Sequence, residues 1–420
     1  MTPCSPFLRR FLTSVAALSF TGCALKLGKQ PREEVAPLYS AASAQFRQSA
    51  GSLLGPNFVG GNNITTLING REIFPAMLTA IRSAKRSVNF ETYTFWNDEI
   101  GREFTDALAE AARRGVHVNA VLDARGTHKM GTQNLARLRE AGVHVVKYHG
   151  AFFPDPRRYN NRTHRKLMIV DGKVAFIGGA GIAELWAGNA DSAKHWRDNH
   201  YKVTGPVVAQ LQASFVTTWL KTRGQVLHGD DYFPPLENTG SSLAQGIRSG
   251  AHYENLDLMY LLAIAAAQKN LRIENAYFLP DDLVRKELIA AAKRRVKIDI
   301  IVPGKKIDQK LVRAASKRHW PDLIQAGVKI YEYEPTMVHV KLMIVDDIFV
   351  SVGSGNFDNR SIRLNDEANL DVLDRQFAAE QTQLFELDKR RSHEVALKEL
   401  GGFHLANPLD HAAGLLAPQL

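Results

Sequence analysis

Only two cysteines occur in the 420 residues, and both fall within the first 23. That placement excludes a disulfide framework or a cysteine metal site in the rest of the chain. No H-x-x-x-H pair supports zinc, and no cofactor is expected. Long apolar runs are missing too: residues 11–20 are apolar-rich but too few to span a bilayer as a helix. Acidic residues are outnumbered 43 to 53, a net charge of +10, yet no run of six or more basic residues occurs. An anionic partner is favoured, nucleic acid or anionic lipid, against the plain alternative of a merely basic surface. With 45% hydrophobic and 23% charged residues, the chain is globular material, enough for two domains of about 150 to 200 residues each.

Arg9-Arg10 precede the apolar stretch, which ends in Thr21-Gly22-Cys23. This order of charge, apolar segment and small residues is that of a signal peptide. Leu18-Ser19-Phe20-Thr21-Gly22-Cys23 resembles a bacterial lipoprotein box, with Phe20 where Leu is commonest. The resemblance implies lipidation at Cys23 and a lipid-anchored, membrane-associated envelope protein facing the periplasm. An uncleaved leader that only tethers the chain is the alternative.

Two halves can be laid over each other. Phe90-Glu91-Thr92-Tyr93-Thr94-Phe95 answers Ile273-Glu274-Asn275-Ala276-Tyr277-Phe278. Ala111 to Val116 answers Ala291 to Val296, and Ala141-Gly142-Val143 answers Ala326-Gly327-Val328, each opening a strand. The expected layout is a leader at 1–23, a tether at 24–56, a first repeat at 57–228, a linker at 229–250, a second repeat at 251–400 and a tail at 401–420. An inserted loop, aromatic and basic, falls between about His149 and Thr163. Strands alternate with helical patterns, so each half is α/β with a parallel or mixed sheet.

The strongest repeat is His164-Arg165-Lys166-Leu167-Met168-Ile169-Val170-Asp171 against His339-Val340-Lys341-Leu342-Met343-Ile344-Val345-Asp346. Both read HxKxxxxD. By chance a chain of this length holds one such pattern about one time in twenty; two copies at corresponding places are far stronger evidence. Each reads as a buried strand, with the His and Lys on one face roughly 6 to 7 Å apart. An imidazole that titrates near neutrality beside a cation suits a phosphate.

These motifs, with Gly353-Ser354-Gly355-Asn356 and the run Leu364-Asn365-Asp366-Glu367-Ala368-Asn369, resemble the phospholipase D superfamily, most closely bacterial cardiolipin synthases. The early Asn69-Gly70-Arg71-Glu72-Ile73-Phe74-Pro75 is similar to theirs as well. The resemblance covers about residues 64 to 390. It implies two similar α/β halves, packed with pseudo-twofold symmetry around one active site. One His attacks phosphorus to form a phosphohistidine and the other protonates the leaving group; the family favours His164 as the nucleophile. Lys166 and Lys341 hold phosphoryl oxygens, Ser354 and Asn356 add hydrogen bonds, and Asp198 and Glu367 orient the imidazoles. Asp171 and Asp346 belong to the motif, but an Asp closing a strand is often a turn former, and they are expected to be mainly structural. The chain departs from the family at Gly181, where Asn is usual; another donor such as Asn199 is one replacement. Glu91 and Glu274 have either a pocket-edge or a strand-pairing role, and His195 and His200 are expected at the surface or in packing.

The leading expectation is a monomeric phosphatidyltransferase acting on phospholipids, with phosphatidylglycerol the favoured donor, a glycerol-bearing lipid the acceptor, and phospholipase D hydrolysis as a side reaction. The alternatives are a phosphodiesterase acting on nucleic acid and a non-catalytic lipoprotein that binds anionic lipid.

Overall fold

The computed structural model describes residues 39–149, 161–250 and 254–400. The leader with Cys23, the centre of the inserted loop and the tail lie outside the described residues. After a first helix, α1 (Ala44–Leu54), the first half runs β1 (Val59–Ile68), α2 (Asn69–Ser83), β2 (Ser87–Thr92), α3 (Glu99–Arg113), β3 (His117–Asp123), α4 (Thr132–Glu140) and β4 (His144–Tyr148). It closes with β5 (Lys166–Val170), β6 (Val174–Gly178), β7 (Asn199–Thr204) and α5 (Val208–Arg223). The second half repeats the plan as β8 (Ser242–Ser249), α6 (Asn255–Ala266), β9 (Asn270–Asn275), β10 (Phe278–Leu279), α7 (Asp282–Lys293), β11 (Lys297–Pro303), α8 (Lys310–Lys317), α9 (Trp320–Gln325) and β12 (Lys329–Tyr333). It ends with β13 (Lys341–Val345), β14 (Phe349–Gly353), β15 (Phe357–Asp358), α10 (Asn359–Arg363), β16 (Glu367–Leu373), α11 (Arg375–Arg390) and β17 (Ser392–Glu394).

The strand order is a palindrome in kind. From the middle outward one half reads β1-β7-β6-β5-β2-β3-β4, and the other reads β8-β16-β14-β13-β9-β11-β12-β17, with β1 beside β8. β2, β3 and β4 run parallel, as do β9, β11 and β12, while β5 and β13 run antiparallel to their neighbours. The helices start where their capping residues allow. Asp98 accepts from Gly101 N–H ahead of α3, and Asp281 accepts from the N–H groups of Leu283 and Val284 ahead of α7.

Side-chain alternation sorts the two motif strands into layers. Leu167 and Ile169 of β5, with Leu342 and Ile344 of β13, share a central core to which α5 gives Phe215 and Trp219 and α11 gives Phe377 and Phe385. Met168 and Val170 belong instead to the first half's own core, and Met343 and Val345 to the second's. Burying each such side chain is worth roughly 1.5–3 kcal/mol. The central layer therefore locks the halves together and fixes what lies at its edge.

Two expectations need correction. The stretch taken as a tether ends in α1, whose Phe46, Ala50 and Leu54 are buried against the second half; the Phe46 ring meets Phe349 edge-on at 5.3 Å. The stretch taken as a linker contains β8, which pairs with β16 from Leu243↔Leu373 to Ser249↔Glu367. Its polar letters disguised it. They are satisfied sideways, as where Gln245 donates to the Pro56 carbonyl, so the strand needs no apolar alternation. No described helix is long and apolar enough to cross a membrane.

Candidate active site

Backbone bridges join the two halves just before each histidine. A parallel bridge joins Thr163 to Asp366 and another joins Arg197 to Val338. The His164 N–H donates to Asp366 O at 2.9 Å, and the His339 N–H to Arg197 O at 2.7 Å. Each histidine thereby lies beside the residue that follows the bridge in the other half. His164 Nδ1 is 2.8 Å from Glu367 Oε1, and His339 Nδ1 is 2.8 Å from Asp198 Oδ2. Each Nδ1 thus faces a carboxylate, that of His339 lying also 3.0 Å from Lys341 Nζ, which leaves Nε2 as the ring nitrogen for chemistry.

Burial pushes the His164 imidazole down to about 4, against the pull of Glu367. It drives His339 well below its usual range, helped by Lys341 and Lys166. Lys166 is lowered to about 7 and Lys341 to about 8, again by burial, with Glu367 and Asp198 respectively opposing it most. Each ammonium donates to its own histidine's carbonyl, at 2.7 Å for Lys166 and 2.6 Å for Lys341. An anion entering here would meet Lys166 in the cavity wall and help to maintain its charge, with Lys341 buried behind it.

Asp171 and Asp346 follow the last residues of β5 and β13, at the ends away from the histidines. Asp171 accepts from the backbone N–H groups of Lys85, Arg86 and Ser87. Asp346 accepts from those of Gln268, Lys269 and Asn270. Both tie down the start of a neighbouring strand. Glu91 and Glu274 line no part of the cavity. Thr163 donates to Glu91, Arg165 is 3.9 Å from it, and Glu274 interacts with Asp388 and Arg197. Both belong to the buried polar network between the halves. His200 is buried and its imidazole is held down to about 4, a packing residue; His195 is 3.6 Å from Asp191.

The two carboxylates are fixed by different means. Glu367 accepts from Ser354 Oγ at 2.5 Å and Ser361 Oγ at 2.7 Å. Burial alone would raise it, but His164, Lys166 and Ser354 hold it below its usual range. Ser354 therefore steadies the carboxylate, where a contact to phosphoryl oxygen was expected. Asn356 Nδ2 donates to Ser361 Oγ at 3.3 Å, and its Oδ1 has no hydrogen-bond partner. Asp198 accepts from the Trp186 indole N–H at 2.9 Å and its own neighbour's N–H, Asn199, at 2.9 Å. Burial raises it to about 6.

Gly181 is explained by Trp186. A Cβ at Gly181 would stand 2.7 Å from Thr94 Cβ and 3.0 Å from the Trp186 ring, so the indole fills the space of the missing amide. Asn199, the other donor considered, does not line the cavity; its side-chain oxygen accepts from Arg197 at 2.5 Å. Trp186 carries no motif and went unnoticed in the sequence. Its one signal is that it stands where Ser361 stands in the other copy.

Both histidines line a cavity of about 570 Å³ with Lys166, Asn356 and Ser361. Tyr93, Arg125, Arg162 and Arg360 also line it, as do Trp186, Trp196, Tyr277 and Asp308. The Tyr93 ring is 5.3 Å from His164, whereas Trp186 and Trp196 are 5.4 and 5.3 Å from His339. Among the described residues no three His, Cys, Asp or Glu side chains converge as metal ligands.

A family model described as cardiolipin synthase, PLD-like domain, matches residues 77–219 and 260–389. The chain is 33% identical over 341 residues to the probable cardiolipin synthase YwiE of Bacillus subtilis, an alignment covering 80% of this chain and 67% of that protein. It is 32% identical to cardiolipin synthase A of Pseudomonas fluorescens, over 86% of this chain and 75% of the relative. In fold it is similar to the crystal structure of phosphatidylserine synthase from Haemophilus influenzae, with a TM-score of 0.69 and 15% identity over 90% of this chain and all of that one. The paired motifs, the duplicated halves and these matches together place the chain in the phospholipase D superfamily, as a member of its cardiolipin-synthase-like family.

Proposed function

We propose that the chain is a membrane-associated phosphatidyltransferase that moves the phosphatidyl group of phosphatidylglycerol to a glycerol-bearing lipid, with water as a slower acceptor. The observation that carries this reading is the crossed pair of His–carboxylate contacts at 2.8 Å, beside one cavity. Glu367 stays ionised and makes His164 Nε2 the better electron donor. Asp198, raised to about 6, puts a titrating proton on the pair it forms with His339. This difference between the two carboxylates supports giving the pairs different roles. His164 attacks phosphorus; His339 protonates the leaving alkoxide, then takes the acceptor's proton. Lys166 and Lys341 hold the phosphoryl oxygens. One chain supplies both halves of the site, consistent with a monomer, and lipidation at Cys23 would keep it beside its substrate.

The test is product analysis with purified full-length chain and labelled phosphatidylglycerol in mixed micelles. Diphosphatidylglycerol is expected, with some phosphatidic acid, and neither from His164→Ala or His339→Ala. Absence of lipid turnover by the wild type with every acceptor would overturn the proposal; cleavage of DNA with inert lipids would move the chemistry to nucleic acid.

A further inference from the structure

The cavity has unlike ends. The loop after β3 brings Arg125 and His128 to its wall, and the equivalent loop after β11 brings Asp308 and Gln309. Beside His339, Tyr277 and Trp196 continue the wall, with ring centroids 6.2 and 5.3 Å from the imidazole. Tyr277 OH donates to Asp308 Oδ1 at 2.8 Å, and Asp308 is exposed to the cavity. A carboxylate over aromatic rings offers acceptors to several hydroxyls and apolar faces to the carbons between them. A phosphate would be repelled here.

We infer that Asp308, Tyr277 and Trp196 form a subsite for a vicinal-diol headgroup: the glycerol that leaves the donor and the hydroxyl-bearing end of the acceptor. This rests on the roles proposed for the two histidines, because in an in-line displacement the leaving and entering oxygens lie opposite the nucleophile, on the His339 side. In the first step the His164 Nε2 lone pair forms the N–P bond. The P–O bond to glycerol breaks, and its oxygen keeps the electron pair and takes a proton from His339. In the second, the acceptor O–H gives its proton to His339 and forms the new P–O bond, while the N–P pair returns to His164. Asp308 is in this scheme a specificity residue.

The experiment is competition between isotopically labelled glycerol and 1-propanol, at equal concentration, for the phosphatidyl group of unlabelled phosphatidylglycerol, so that the glycerol product is distinguishable from the donor. Both alcohols draw on one intermediate, so the product ratio is independent of how much protein is active. The wild type should favour glycerol. Asp308→Ala should lower the glycerol-to-propanol ratio roughly tenfold or more, the scale of a hydrogen bond to a charged group. Asp308→Asn, which keeps one acceptor, should lower it less, and Tyr277→Phe, which frees the carboxylate to turn, by a few-fold. If Asp308→Ala makes neither ester, the other two variants read the same ratio. A ratio unchanged in the variants that make ester overturns the subsite. Wild-type protein that transfers to neither alcohol overturns the phosphatidyltransferase reading on which it rests.

Discussion

The two halves build one apparatus twice and finish it differently. Counting from its histidine, Gly179 stands where the other half has Ser354, Gly181 where it has Asn356, Leu185 where it has Arg360 and Trp186 where it has Ser361. Small polar groups hold Glu367 in the second half, and one large indole holds Asp198 in the first. Gly179 follows from the same choice, because a Cβ there would stand 2.4 Å from Asp198 Oδ1. The lesson is that a missing motif residue need not be a missing function. The indole N–H performs the fixing, and its bulk forbids the side chain that the family usually places at 181.

The largest expected effect tests whether the histidines differ in role. His164→Ala and His339→Ala should each lower transfer by about 10³-fold or more, with the double variant little worse than either. An acid-labile, histidine-linked phosphatidyl group should accumulate only in His339→Ala. Accumulation in His164→Ala instead would reverse the two assignments.

Next comes the contrast between carboxylates. Glu367 is held below its usual value, so its contribution to stability is present above the unfolded carboxylate pKa and lost as pH falls through the folded one. Asp198 is raised to about 6; its contribution is present below its unfolded value and lost as pH rises through about 6. At pH 7 Glu367→Gln should therefore destabilise by about 3–5 kcal/mol, the scale of breaking a buried pair. Asp198→Asn should cost clearly less. Thermal melts from pH 5 to 8 measure this, and equal losses at pH 7 would erase the distinction.

A third comparison sets two cross-half ion pairs against each other, one buried and one with its cation exposed. Arg197 meets Asp388 of α11 at 2.8 Å with both side chains buried, and Lys221 of α5 meets Asp366 at 2.9 Å with the lysine 39% exposed. The residue ahead of each orienting carboxylate thus carries opposite charge in the two halves. Asp388→Ala should cost about 3 kcal/mol or more and Lys221→Ala below about 1 kcal/mol, read from denaturant midpoints.

Gly181→Asn offers a finer test of the indole. Introducing the family's amide should lower activity and melting temperature, because it collides with Trp186 and Thr94. Adding Trp186→Ser, which copies the second half, should recover part of both losses. An active, stable Gly181→Asn single variant would show that the space is not filled as described.

The smallest effect concerns the lysines. Sulfate, whose charge is constant across this range, should inhibit best below pH 7 and lose affinity as Lys166 and then Lys341 deprotonate near 7 and 8. Each lysine contributes at most about tenfold per pH unit. Lys166→Met should remove the earlier part of that dependence.

The histidines, the lysines and the duplication were legible because each rests on contiguous residues: the HxKxxxxD strand repeats with one letter changed, Arg165 against Val340, and the β2, β3 and β4 segments reappear at nearly constant offset. β8 was hidden by polar residues that find their partners sideways, and α1 by a stripe of only three apolar positions. Trp186 was invisible because its importance depends on Thr94, Gly181 and Asp198 reaching one place, and none of them is its neighbour in a motif.

By itself the sequence determined the family of the fold, the two imidazole–ammonium pairs and the departure at Gly181, since local pattern encodes strand register and side-chain face. Only the tertiary structure decided that each histidine is served by the other half's carboxylate and that an indole occupies the amide's space. The sheets meet across a shared core that no local pattern specifies, and that contact selects which carboxylate reaches which ring.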